Sequence, residues 1–138
     1  MAEIRDPLTH QVIGAAIEVH RNLGPGILES AFEACLCFEL AERGLGVERQ
    51  VGLPLIYKGV KLNLGYRPDL IIEGALIVEL KSVERLITQH EAQVLTYLKL
   101  SGLQTGLLIN IQSQPLIKGI KRLVRSASAV SAVSAVSA

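Results

Sequence analysis

Apolar positions recur at helical spacing early in the chain and at strand spacing in its middle. Leu8, Val12, Ile13, Ala16, Ile17 and His20 share one face of a 3.6-residue period, which predicts an amphipathic helix near residues 8 to 22. Asn22-Leu23-Gly24-Pro25-Gly26 breaks it with turn chemistry. A second helix is predicted from Ile27 to Arg43, stopped by Gly44. Its apolar residues lie nearly all round (Leu28, Ala31, Phe32, Cys35, Leu36, Phe38, Leu40), which predicts burial against more than one neighbour. Beyond Gly46 the period becomes two, through Val47, Arg49, Val51, Leu53, Leu55 and Tyr57, with Pro54 interrupting as at an edge or bulge. Lys58-Gly59 predicts a hairpin turn into Val60, Leu62 and Leu64. Asp69-Leu70-Ile71-Ile72 follows Tyr66-Arg67-Pro68, and Glu73-Gly74 is the next turn. Ala75 to Lys81 is a near-continuous apolar run ending in charge, the signature of a strand buried on both faces. Ile87 to Leu100 reads as a helix capped by Thr88, with Glu91 closing a capping box. Leu107 to Ile111 reads as another buried strand, and Pro115 to Val124 as either a short helix or an edge strand. The order predicts one α/β domain, a mixed sheet of four or five strands flanked by helices, over residues 1–125.

The remaining residues, 126–138, contain only Ser, Ala and Val, largely in a three-residue repeat. A period of three drifts by about 60° per repeat on a helix and changes face on a strand, so it defines no buried stripe. This segment reads as an appended low-complexity tail, or as an uncharged element that associates with copies of itself.

Composition narrows the function. The 138 residues carry 14 Lys and Arg against 13 Asp and Glu, a net charge of +1, which excludes a protein holding nucleic acid by bulk charge alone. At 49% hydrophobic the chain is no disordered acidic tail, and with 4% aromatic and no Trp its core must be aliphatic. Cys35 and Cys37 are too few and too close for a disulfide framework, and read as small core residues in a reducing, cytoplasmic compartment. No run of about 18 apolar residues offers a membrane span, and the N-terminus lacks the apolar stretch of a signal peptide.

Charge inside the buried strands is the informative anomaly. Glu79 and Lys81 sit at i and i+2 and so face the same way, and Asp69 lies ten residues before Glu79 across a tight turn. In an antiparallel hairpin that spacing brings the two carboxylates together at a strand end. With a backbone carbonyl they would suit a hard, oxygen-seeking cation such as Mg²⁺, and the lysine would offset charge on a phosphate. The same residues also suit a plainer arrangement, with Asp69 as a turn residue and Glu79–Lys81 as an exposed cross-strand pair.

Pro68-Asp69, ten residues, then Glu79-Leu80-Lys81 resembles the PD-(D/E)XK nuclease signature. Gln93-Val94-Leu95-Thr96-Tyr97 is similar to the Gln-x-x-x-Tyr element of one exonuclease branch, and Gly26-Ile27-Leu28-Glu29-Ser30-Ala31-Phe32 to the motif of the bacterial GxxExxY family. The likeness runs from about Leu8 to Val124. It implies a restriction-endonuclease-like fold and a Mg²⁺-dependent nuclease, Mn²⁺ being a substitute, with DNA as substrate. It implies Asp69, Glu79 and the Leu80 carbonyl as metal ligands, with Glu29 touching the metal directly or through water. Lys81 would activate the attacking water, and Gln93 and Tyr97, four apart on one helix face, would line the site. The family motif ends in Tyr where this chain has Phe32, so a phenolic hydrogen bond is absent.

A different class of function remains open: a catalytically silent nuclease-fold subunit that self-assembles or binds nucleic acid. High apolar content in a short chain points to a surface buried in a homo-oligomer. His20 reads as packed against the core or placed to favour a helix C-terminus. His10 and His90 have no metal-ligand spacing with each other or the cysteines, and Gly24-Pro25-Gly26 lacks the Lys-Ser/Thr of a nucleotide loop. Lys118, Lys121, Arg122 and Arg125 would share one face of a helix, either following a nucleic-acid backbone or simply solvated.

Overall fold

Asp6 starts the first helix, α1 (Pro7–Leu23), by accepting hydrogen bonds from the Thr9 N–H and hydroxyl, and Pro7 sits where a missing N–H costs nothing. Together these fix the start of the helix that the apolar period predicts. The computed structural model describes residues 6–125 and, as backbone, 135–137. The chain continues through α2 (Glu29–Glu42), β1 (Val47–Arg49), β2 (Leu53–Tyr57), β3 (Val60–Tyr66), β4 (Leu70–Ile72) and β5 (Leu76–Lys81). Then come α3 (Thr88–Ser101), β6 (Thr105–Asn110), a 3-10 turn at Leu116–Gly119, β7 (Ile120–Val124) and β8 (Ala135–Ser137).

The main sheet has the order β1-β4-β5-β6-β7, with β8 antiparallel along the β7 edge as a sixth strand. Among the described residues only β5 and β6 run parallel, and α3 makes the crossover that a parallel pair requires. The mixed α/β architecture expected of a restriction-endonuclease-like fold is therefore present. The two readings of the Ser-Ala-Val tail concern residues that, apart from the backbone of 135–137, lie outside the described residues. β2 and β3 form a separate two-stranded ribbon, and Pro54 sits in its register shift between Leu53 and Leu55.

Strand parity sorts the core into two layers. Leu70, Ile72, Leu76, Val78, Leu80, Leu107 and Ile109 face α1 and α2, whose Val12, Ala16, Phe32 and Leu36 are fully buried against them. Ile71, Ile77 and Leu108 face α3 and pack with Val94, Tyr97 and Leu98. Each fully buried Leu or Ile contributes about 1.5–3 kcal/mol. With both faces of β5 covered, a charge at its end is placed against protein rather than bulk water.

As expected, α2 meets more than one neighbour, the sheet and α1, and it buries one stripe (Phe32, Leu36, Leu40) against them while Phe38 is 67% exposed. Three local expectations are corrected. Cys35 is exposed and so is no core residue, whereas Cys37 is half-buried and packs against the margin of the core. α3 is capped from Ile87, not Thr88: the Ile87 N–H donates to His90 Nδ1 at 2.9 Å, while Glu91 pairs with Lys121 at 2.8 Å. Finally, residues 116–124 form a 3-10 turn and then a strand, so the basic residues do not share a helix face. Lys121 reaches α3, Arg122 pairs with Asp6 at 3.1 Å on the opposite side, and Arg125 donates to the Leu103 carbonyl.

Candidate active site

The β4–β5 hairpin sets the geometry. Its turn uses left-handed backbone at Glu73 (φ 55°) and Gly74 (φ 61°), which fixes the register Leu70↔Val78, Ile71↔Ile77, Ile72↔Leu76. One step further along that register, Asp69 stands opposite Glu79, on the face turned to α3. The two residues interlock. The Asp69 N–H donates to Glu79 Oε1 at 3.1 Å, and the Leu80 N–H donates to Asp69 Oδ2 at 2.8 Å. Lys81 Nζ lies 3.5 Å from Glu79 Oε2. Glu79 is 5% exposed, which sets aside the plainer reading of an exposed cross-strand pair. A strand residue's N–H and C=O point to the same edge, so the Leu80 carbonyl faces the same side as its Asp69-bound N–H.

The electrostatics are strained by this burial. Desolvation, and then the Asp69 carboxylate, push the Glu79 carboxyl up to about 7 against the counter-pull of Lys81. Asp69 is raised by burial as well, although hydrogen bonds from Leu80 and Gln50 oppose the rise. Glu29, half-buried at the start of α2, is raised by burial and then by Asp69, with Lys81 countering. Tyr97, on α3, accepts from Gln93 Nε2 at 3.1 Å, and burial and the Glu79 and Asp69 charges push its hydroxyl up to about 12. The structure thus gathers Asp69, Glu79, Leu80 and Lys81 at one strand end and sets Gln93 and Tyr97 on the helix above. Glu29 is within electrostatic reach. Among the described residues no three Asp, Glu, His or Cys side chains gather into one metal-sized cluster, so Glu29 is not grouped with the other two acids.

Two carboxylates and a carbonyl, with no further acid grouped among them, are the sparse oxygen set that suits Mg²⁺, which keeps several of its waters. Asp69 adds to the rise that burial gives the Glu79 carboxyl, and Lys81 is the cation paired with it. The donor set therefore fits a small divalent cation.

Two residues of this arrangement were not singled out from sequence. Glu33, buried on α2, accepts from Arg49 Nε at 3.1 Å and from Gln50 Nε2 at 3.2 Å. The same Gln50 nitrogen donates to Asp69 Oδ1 at 3.1 Å, and the Gln50 N–H to the Asp69 carbonyl at 3.0 Å. Gln50 has left-handed backbone (φ 51°), which turns its amide back toward both acids. The available signal was Glu33 four residues after Glu29, hence on the same helix face. His20 and Phe32 lie away from the acids: His20 Nε2 meets the Ile111 carbonyl at 3.0 Å, and its ring packs edge-on to buried Phe32.

Residues 6–123 match the family model described as the PD-(D/E)XK nuclease superfamily. No curated protein and no solved structure gives a significant match to the chain. The match covers more than half of the chain, from α1 through to all but the last residue of β7. The chain belongs to the PD-(D/E)XK nuclease superfamily.

Proposed function

We propose that this protein is a divalent-cation-dependent nuclease that hydrolyses phosphodiester bonds in DNA, and that it belongs to the GxxExxY branch. The observation that supports the reading is Asp69 interlocked with Glu79 at a strand end, with Lys81 3.5 Å from the Glu79 carboxylate. Asp69, Glu79 and the Leu80 carbonyl would hold Mg²⁺, or Mn²⁺ in its place, and that ion supplies a polarised phosphoryl oxygen and a more acidic water. Lys81 presents its ammonium to the scissile phosphate, offsetting the charge that develops there, and orients the attacking water for in-line displacement. Glu29 accepts a hydrogen bond from a water of the site rather than joining the ligands. The Gln93 amide and the Tyr97 hydroxyl, held together at 3.1 Å, orient the phosphate or the Lys81 side chain. Gln50 keeps Asp69 turned toward Glu79.

The domain comprises residues 1–125 and the Ser-Ala-Val segment is an appendage to it. A cytoplasmic location is part of the same reading, supported by the unpaired Cys35 and Cys37. Among the described residues no helix is long and apolar enough to cross a membrane. Self-association is supported by Leu28, at the N-cap of α2, and Phe38 on that helix, both exposed. The silent-subunit reading would rest on that surface alone.

The test is cleavage of linear and circular DNA with Mg²⁺ or Mn²⁺. Wild-type cleavage that falls at least about a hundredfold in both Glu79→Gln and Lys81→Ala is the expected result. No cleavage by a folded wild type that also takes up no divalent cation overturns the reading.

A further inference from the structure

We propose that the β2–β3 ribbon is a duplex-binding arm of this site, with Lys58 and Lys61 on phosphates and its apolar face in a groove. The inference rests on the nuclease reading for the identity of the polyanion. The ribbon leaves the main sheet after Gln50 and returns at Asp69, so it rises from the end of the sheet where the acids sit. The Gln50 N–H to Asp69 carbonyl bond closes its foot.

Its charge is one-sided. From Val51 to Pro68 there is no Asp or Glu, but there are Lys58, Lys61 and Arg67, in a chain whose total is only +1. The rest of the molecule is therefore net negative, and the ribbon is a local cationic feature. Among the described residues no carboxylate forms an ion pair with any of the three. Arg67, at the foot, lies near enough to act on the Tyr97 hydroxyl, so the positive track runs from the acids outward.

Its base packs on α3 through Leu53 and Tyr66, and its outer half stands free. Lys58 (φ 51°) and Gly59 (φ 81°) make a tight left-handed turn, and among the described residues the strands pair only with each other. Tyr57, Val60 and Leu64 share one face by register and are 59%, 56% and 58% exposed. Lys58 Nζ lies 5.5 Å from the Tyr57 ring centre, at the tip of that face. Ile56 and Lys61 pair on the other face. An uncovered apolar strand pair is a liability unless something covers it. A second copy seated on it about a two-fold axis would bring together two ribbons that each carry these cations and no acid. A nucleic-acid duplex instead offers phosphates to the lysines and sugars and thymine methyls to the apolar face, and its major groove admits a two-stranded ribbon.

The experiment is anisotropy of a labelled random-sequence DNA duplex, titrated with full-length protein in EDTA over a range of salt. The Lys58→Ala/Lys61→Ala variant should bind roughly tenfold more weakly, with a log K against log salt slope shallower by about 2. Leu64→Ser should weaken binding with the slope unchanged. Unchanged affinity and slope in the double-lysine variant, with its fold verified by circular dichroism, overturns the arm. So does a wild type that does not bind duplex. If the variants dissociate a wild-type dimer in sedimentation while duplex affinity holds, the face belongs to a second copy and the arm is overturned. Because binding is read without a divalent cation, the two proposals fail separately. Lysine-dependent binding without cleavage by the wild type removes the nuclease and keeps the arm; cleavage with indifferent lysine variants does the reverse.

Discussion

With its carboxylate almost out of water and Asp69 directly opposite, Glu79 is hard to ionise. Its carboxyl titrates at about 7 in the folded protein and near 4.5 when unfolded, so the native state holds the extra proton between those values. Stability from this group is therefore highest below about pH 4.5 and is lost as pH rises through about 7. The expected outcome is that Glu79→Gln stabilises the metal-free protein at pH 8 by on the order of 2 kcal/mol, several degrees of melting temperature, and has little effect at pH 5. Thermal melts in EDTA at the two pH values check this; an equal gain at both would place the effect elsewhere. Added Mg²⁺ should raise the wild-type melting temperature and leave Glu79→Gln nearly unmoved. The acids were legible in sequence because strand period two puts residues 69, 79 and 81 on one face across a short turn. Gln50 was not, because its part depends on a left-handed backbone that nothing in its neighbours' side chains announces.

At the scale of elements, the site depends on how closely α3 approaches β6. Gly106 allows that approach: a Cβ there would lie 2.7 Å from Val94 Cγ1 and 3.6 Å from the Ile77 carbonyl. Gly106→Ala should cost about 1–3 kcal/mol in denaturant unfolding. It should also lower cleavage in the folded fraction, because Val94 moves on the helix that carries Gln93 and Tyr97. Loss of stability with cleavage intact would show that the helix shift does not reach them. Most elements could be read from periodicity. Two mistakes came from tertiary contacts overriding local cues. His90 took the cap that Thr88 and Glu91 were expected to share, freeing Glu91 for Lys121. Residues 120–124 joined the sheet beside β6, which split a basic cluster that only a helix would have kept on one face. α2 shows the same limit, since an apolar residue such as Phe38 reads as core until the neighbours are known to number only two.

Across the whole molecule, Asp6 binds the two ends of the domain: it caps α1 and pairs with Arg122, 116 residues away, on β7. Burial raises its carboxyl, but the Thr9 hydrogen bonds and Arg122 together outweigh that and hold it below the usual carboxylate range. A depressed carboxyl stabilises above its unfolded value, near 3.8, and the contribution is lost as pH falls through the folded one. Asp6→Ala should therefore cost about 1–2 kcal/mol at pH 7, with the gap from wild type in urea midpoints closing as the pH is taken below 3.8. A gap that stayed constant would assign the loss to packing instead. Sequence gave no hint of this pair, because no local rule links residues so far apart. The contact has a topological consequence. The beginning of α1 and β7 are neighbours in space, so a short linker can join them and new termini can be opened at Lys58–Gly59, giving a circular permutant. By the same geometry the domain can be inserted into a surface loop of a larger host, entering and leaving at nearly one point.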